Sequence, residues 1–194
     1  MAGTQANSEP IVPYKLLQVN AVQAPMMRIS EKASNTQKQG CACVVDGTGY
    51  LLERTAIDDG TKLLAGFTSE AAHNLASSGV GVPLTYGSVQ NQTGAKNIPI
   101  GAPLADGMLG MYVANNQIWF KGKTDDACTL AQANVGVVYG LTKGSNGFWF
   151  VDTTITVVAS GACVEVVELI DAIGTVGGHV AFRVMGVRQQ FGGA

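Results

Sequence analysis

Apolar positions along this chain come in short runs, and turn residues separate them. In the second half the runs alternate with period two: Val180, Phe182 and Val184 sit on one side of Ala181 and Arg183. Alternation over five or six residues, with turns every eight to twelve, marks half-buried strands rather than helices. The pattern predicts strands at 41–45, 50–54, 63–67, 108–113, 117–121, 135–141, 148–152, 163–169 and 179–184, with 153–158 also extended. Asn115 and Asn116 are placed to turn 108–113 back onto 117–121 as a hairpin. Gly144, Ser145, Asn146 and Gly147 are placed to join a second hairpin. Residues 69–78 could form one or two helical turns capped by Thr68 or Ser69. Residues 79–101 read as a long loop, with Ile98, Pro99 and Ile100 extended. The expected fold is all-β: a small antiparallel barrel or sandwich over residues 41–194, with long loops and at most one short helix.

Residues 1–40 are patterned differently. Pro10, Pro13 and Pro25 are three of the six prolines in the chain. Proline lacks an N–H and keeps its predecessor extended. Between the prolines lie Tyr14, Leu16, Leu17, Val19, Met26, Met27 and Ile29, too apolar for a free tail. This segment reads as an extended arm, with one short strand at 15–19 and a polar loop over 30–40. An apolar arm must lie on something, so Tyr14, Leu16, Leu17, Met26 and Met27 are the candidate partner-binding residues. Deleting residues 1–30 is expected to leave a folded barrel that binds its partner less well.

Composition sharpens this picture. The chain has 194 residues, of which 13% are charged and 25 are glycine. Charged residues usually make up about a quarter of a soluble protein, so much neutral surface is expected to be covered by partners. The net charge is −2 and there is no Lys/Arg run, so no nucleic-acid partner is expected. No apolar stretch reaches the ~18–20 residues of a membrane span. Residues 1–10 lack the basic and apolar regions of a secretory signal. Cys41, Cys43, Cys128 and Cys163 are expected to be reduced, which suits folding in a cytosol.

Candidate chemistry is sparse. His73 and His179 are the only histidines, and no G-x-S-x-G elbow is present. Cys41 and Cys43 are spaced C-x-C, not as the C-x₂₋₄-C pairs of structural zinc sites. Gly122, Lys123 and Thr124 imitate the end of a phosphate-binding loop, but Gln117 stands where its first glycine belongs. Asp125 and Asp126 follow where a helix N-terminus would have to attract phosphate, so a charged turn is expected. Asp58 and Asp59 also read as turn residues. No catalytic residue, metal or cofactor is expected.

One stretch carries a resemblance: VGVVYGL at 135–141, GFWFVDT at 147–153, VEVVELID at 164–171, GTVGG at 174–178 and VAFRV at 180–184. It resembles the C-terminal barrel of tailed-bacteriophage capsid decoration (cement, or head-stabilising) proteins. Leu64 to Phe67, Ile98 to Ile100 and residues 101–107 also fit their pattern. The resemblance implies a non-enzymatic virion protein, made in the host bacterial cytoplasm. It would sit on the capsid surface as a homotrimer and bridge subunits of the major capsid protein. The alternatives are another virion component (head-fibre base, minor capsid or tail-tube protein) or a carbohydrate-binding module. The latter would use Trp119, Trp149 and Tyr112 as a stacking platform, although burial of the two tryptophans in the core is the favoured reading.

Overall fold

The computed structural model describes residues 3–7, 9–17, 24–32, 34–54, 63–72, 107–115 and 117–191. Within them the chain forms eleven strands: β1 (Val12–Leu16), β2 (Met26–Glu31), β3 (Ala42–Val45), β4 (Tyr50–Glu53), β5 (Gly66–Thr68), β6 (Met108–Val113), β7 (Ile118–Lys123), β8 (Val138–Lys143), β9 (Trp149–Asp152), β10 (Val164–Leu169) and β11 (His179–Val184). Helical geometry among the described residues is confined to three single 3-10 turns, Gln132–Asn134, Val158–Ser160 and Gly186–Arg188. The all-β expectation holds.

The strands divide between two sheets. One runs β1-β7-β11-β10-β8-β9, and the other closes on itself as the barrel β2-β4-β3-β5-β6. Every ladder is antiparallel except β2 against β4. The six-stranded sheet also curls. Beyond β7, Asp125 N–H donates to the Val151 carbonyl of β9 at 3.0 Å, and Thr124 bridges Val151 in parallel.

One core serves both sheets. Phe67 of β5 lies 4.7 Å from Phe120 of β7 and 5.9 Å from Phe182 of β11, centroid to centroid. Ile11, Cys41, Leu64, Trp149 and Val164 join the same cluster. A smaller cluster of Cys43, Leu51, Ala65, Leu109 and Met111 fills the closed barrel. Period-two alternation explains the split. In β7, Ile118 and Phe120 are buried while Trp119 and Lys121 turn away.

Four expectations need correction. Strands β6 and β7 do not form a hairpin: β6 pairs with β2 and β5, and β7 pairs with β1 and β11. Each already has a neighbour on both sides, so the 114–117 connection crosses between sheets. Residues 153–158 do not continue as a strand, although Val157 keeps extended backbone angles. Asp152 Oδ1 accepts from Thr154 N–H (3.0 Å) and hydroxyl (2.6 Å), and Asp125 Oδ2 accepts from Thr153, which folds a turn. Gly122 and Lys123 belong to β7 rather than to a charged turn. The N-terminal segment is extended, but it is built into the body. Its first strand is Val12–Leu16, not 15–19, and it adds to β7. Residues Met26–Glu31 then form a stave of the closed barrel. Removing residues 1–30 would therefore open that barrel.

Ser69 donates its N–H to the Gly110 carbonyl, and residues 69–72 are not helical. The remainder of the predicted helix, the loop at 79–101 with Ile98 to Ile100, residues 101–106, His73 and the Asp58–Asp59 pair lie outside the described residues.

Candidate partner-binding surface

The two strands of the arm approach the connection between β6 and β7 from opposite ends. β1 is the edge of the six-stranded sheet. Its pairing with β7 shifts register between Pro13 and Lys15, so Tyr14 has no cross-strand partner and is 43% exposed. The bulge releases this side chain from the pleat. Leu17 is also exposed, and its N–H donates to the Gln117 carbonyl at 2.8 Å. From the other sheet, the Pro25 carbonyl accepts from Val113 N–H at 3.1 Å. The C-terminal end of β1 and the N-terminal end of β2 thus grip the same short connection from its two ends.

Met26 and Met27 open β2 opposite Tyr112 and Met111. Both are exposed, Met26 at 47%. Across β6 from Met26, Gly110 leaves room for Ser69: a Cβ there would stand 2.3 Å from Ser69 Oγ, while Met26 Sδ at 3.5 Å is in ordinary contact. Of the five arm residues singled out in the sequence, Tyr14, Leu17, Met26 and Met27 are therefore displayed. Leu16 instead packs against the shared core.

The three aromatics of the stacking alternative do not share a surface. Trp149 is fully buried, Tyr112 packs against the core, and Trp119 carries Lys15 Nζ 4.8 Å above its ring. Trp149 has a structural partner in Glu53 of β4. Its Nε1–H donates to Glu53 Oε1 at 2.9 Å, and Lys143 Nζ donates to Oε2 at 2.8 Å. One carboxylate thus ties the closed barrel to the β8–β9 hairpin. Nothing in the alternation of residues 50–53 distinguishes Glu53 from an ordinary solvent-facing acid.

The candidate reactive groups among the described residues sit in packed or hydrogen-bonded surroundings. All four cysteines are buried free thiols. Burial, reinforced by the Glu53 carboxylate, pushes the Cys41 thiol up to about 12. Burial does the same to Cys43, which sits well above its ordinary value. His179 holds Asp171 with its backbone N–H and with Nδ1, both at 2.8 Å. Chiefly through that backbone bond, Asp171 is kept below the usual carboxylate range. Lys123 of the apparent phosphate motif lies 3.5 Å from Glu9. At Glu9, burial acts upward but is outweighed by His179 and Lys123. Among the described residues, no group of three or more His, Cys, Asp or Glu could hold a metal ion. No described helix is long and apolar enough to cross a membrane.

The N-terminal strap is equally specific. Gly3 N–H donates to Asp152 Oδ2 at 2.8 Å, Ala6 N–H donates to Asp126 Oδ2 at 2.9 Å, and the Gln5 amide donates to the Thr124 carbonyl at 2.7 Å. A Cβ on Gly3 would stand 2.8 Å from both Asp125 Cβ and Asp152 Oδ1, so only glycine fits.

The fold and surface define a class: an all-β protein of two sheets around a shared core, with apolar side chains displayed at the crossover between them. Compared with known proteins, the chain matches no family model, no curated protein and no solved structure.

Proposed function

We propose that this chain is a structural virion protein that binds the outer surface of a bacteriophage capsid. In this reading it acts as a homotrimer and stabilises the head by bridging subunits of the major capsid protein. The observation that carries the reading is the set of exposed apolar side chains on the arm: Tyr14 of β1, Leu17 just beyond it, and Met26 and Met27 of β2. Apolar side chains displayed to solvent on an ordered segment suit a docking surface. The motif run at 135–184 supports the same reading. It folds as β8 to β11, so the segment that resembles decoration proteins supplies four of the six strands of that sheet.

The test is co-sedimentation with expanded capsids, together with the mass of the free protein in solution. The expected mass is about three times 20.1 kDa, and the expected copy number per particle is in the hundreds. Serine at positions 14, 17, 26 and 27 together should leave the thermal transition within a few degrees and weaken capsid binding roughly tenfold or more. A monomeric protein that ignores expanded capsids would sink the proposal.

A further inference from the structure

Between the strap at residues 3–6 and β1, Glu9 reaches the cross-strand pair of His179 and Lys123, where β11 meets β7. Its Oε1 lies 3.5 Å from Lys123 Nζ and its Oε2 lies 3.5 Å from His179 Nε2. The other ring nitrogen, Nδ1, is 2.8 Å from Asp171 Oδ2, which also accepts the His179 backbone N–H. Further along the same strands, Lys121 and Glu168 stand opposite Ala181, and Glu165 is held by Arg183 at 2.8 Å. Among the described residues, Asp171 and Glu9 are the carboxylates within 4 Å of the ring nitrogens.

Asp171 decides which hydrogen the neutral ring keeps. It is held below the usual carboxylate range, and an ionised carboxylate can only accept, so Nδ1 carries the hydrogen. The neutral ring then turns a bare lone pair at Nε2 toward the Glu9 carboxylate, and Nε2 makes no hydrogen bond. Protonation reverses the sign of this contact. Nε2–H can then donate to Oε2, and the charged ring stands between two carboxylates. Protons have a route to the buried nitrogen, because the Glu9 side chain that covers it is 55% exposed and free to swing outward. Burial acts upward on Glu9, yet His179 and Lys123 together hold it below the usual range.

We propose that His179 and Glu9 form a pH-sensitive clasp on the N-terminal strap, closed by protonation of His179 and released as pH rises. With the ring charged, His179 and Lys123 both hold Glu9. With the ring neutral, Lys123 holds it alone. The closed strap binds the proton more tightly than the open one. The added hold is therefore complete below the open-state value, about 6.5 for an ordinary histidine, and is lost as pH rises above it. The clasp uses none of Tyr14, Leu17, Met26 or Met27 and does not depend on the capsid reading.

Amide exchange in the full ¹⁵N-labelled chain tests this. The N–H groups of Gly3 and Ala6 are bonded to Asp152 and Asp126, so their exchange reports opening of the strap. Corrected for the intrinsic effect of pH, it should quicken about threefold between pH 5.5 and 7.5, a modest change because Glu9 is largely in water. Exchange of Leu64, whose N–H is bonded to the Arg188 carbonyl, should not change. Imidazole ¹⁵N shifts should show Nδ1 protonated at both pH values and Nε2 only at the lower one. Glu9→Gln should abolish the quickening, because its amide can donate to the neutral Nε2 and gains nothing from a charged ring. His179→Gln, which keeps the backbone bond to Asp171, should abolish it too; if that variant fails to fold, Glu9→Gln decides. Strap exchange without pH dependence would overturn the proposal. So would a neutral ring protonated at Nε2, or an unchanged profile in Glu9→Gln. Capsid binding by the serine variant has no bearing on this result, and the reverse also holds.

Discussion

Cys41 and Cys43 illustrate how far single residues could be read in advance. Their C-x-C spacing argued against a structural zinc pair, and both thiols are buried. The spacing could not show that they enter different clusters. Cys41 precedes β3 and joins the shared core, whereas Cys43 lies inside the closed barrel. Because burial pushes both thiols up, neither should react with a thiol reagent at about pH 8 until the protein is unfolded. Ellman titration of native and denatured protein checks this, and prompt native reaction at either position would contradict it. Asp171 makes a pH prediction. Its folded pKa is depressed below the unfolded value of about 3.9, so the stability it contributes is present above that value. That contribution is lost as pH falls through the folded pKa. Asp171→Asn should therefore flatten the acid limb of stability below about pH 4, measured as the urea midpoint against pH. Arg188 was the residue least visible beforehand. A lone arginine in a neutral stretch looks like a solvated charge, yet Arg188 is buried.

Elements were legible in position and much less so in partnership. The strands expected at 148–152, 163–169 and 179–184 appear as Trp149–Asp152, Val164–Leu169 and His179–Val184. Alternation reports which face of a strand is buried, but it says nothing of which strand lies alongside. For that reason the pattern at 108–121 suggested a hairpin where β6 and β7 in fact serve different sheets. Proline spacing likewise indicated an extended arm without showing that Val12–Leu16 pairs with β7 or that Met26–Glu31, including Ser30 and Glu31 of the expected polar loop, pairs with β6 and β4. Within β5, Gly66 is present for close approach: a Cβ there would stand 1.9 Å from the Tyr112 carbonyl oxygen. Gly66→Ala should push β5 off β6 and cost about 2–4 kcal/mol. Urea unfolding gives the measurement, and a loss under about 1 kcal/mol would show that the ladder yields more easily than this contact implies.

At the scale of the molecule, the two sheets are one folding unit. Phe67 packs against Phe120 and Phe182 across them, and Glu53 binds Trp149 and Lys143 across the same boundary. Unfolding should therefore be a single cooperative transition. In a Trp119→Phe background, fluorescence of Trp149 and far-ultraviolet circular dichroism should trace coincident curves in urea. Separated midpoints would mean that the closed barrel and the six-stranded sheet melt independently.

The strap at residues 3–6 has a further consequence for how the chain is made. Its receptors, Thr124, Asp126 and Asp152, leave the ribosome long after Gly3 and Gln5 do. Residues 3–6 thus find their places only after more than a hundred later residues have emerged, and such distant closures are slow. A nascent chain stalled before residue 124 should expose its N-terminus to protease, while a released chain should protect it; equal cleavage of the two would show that the strap is held by something other than these receptors.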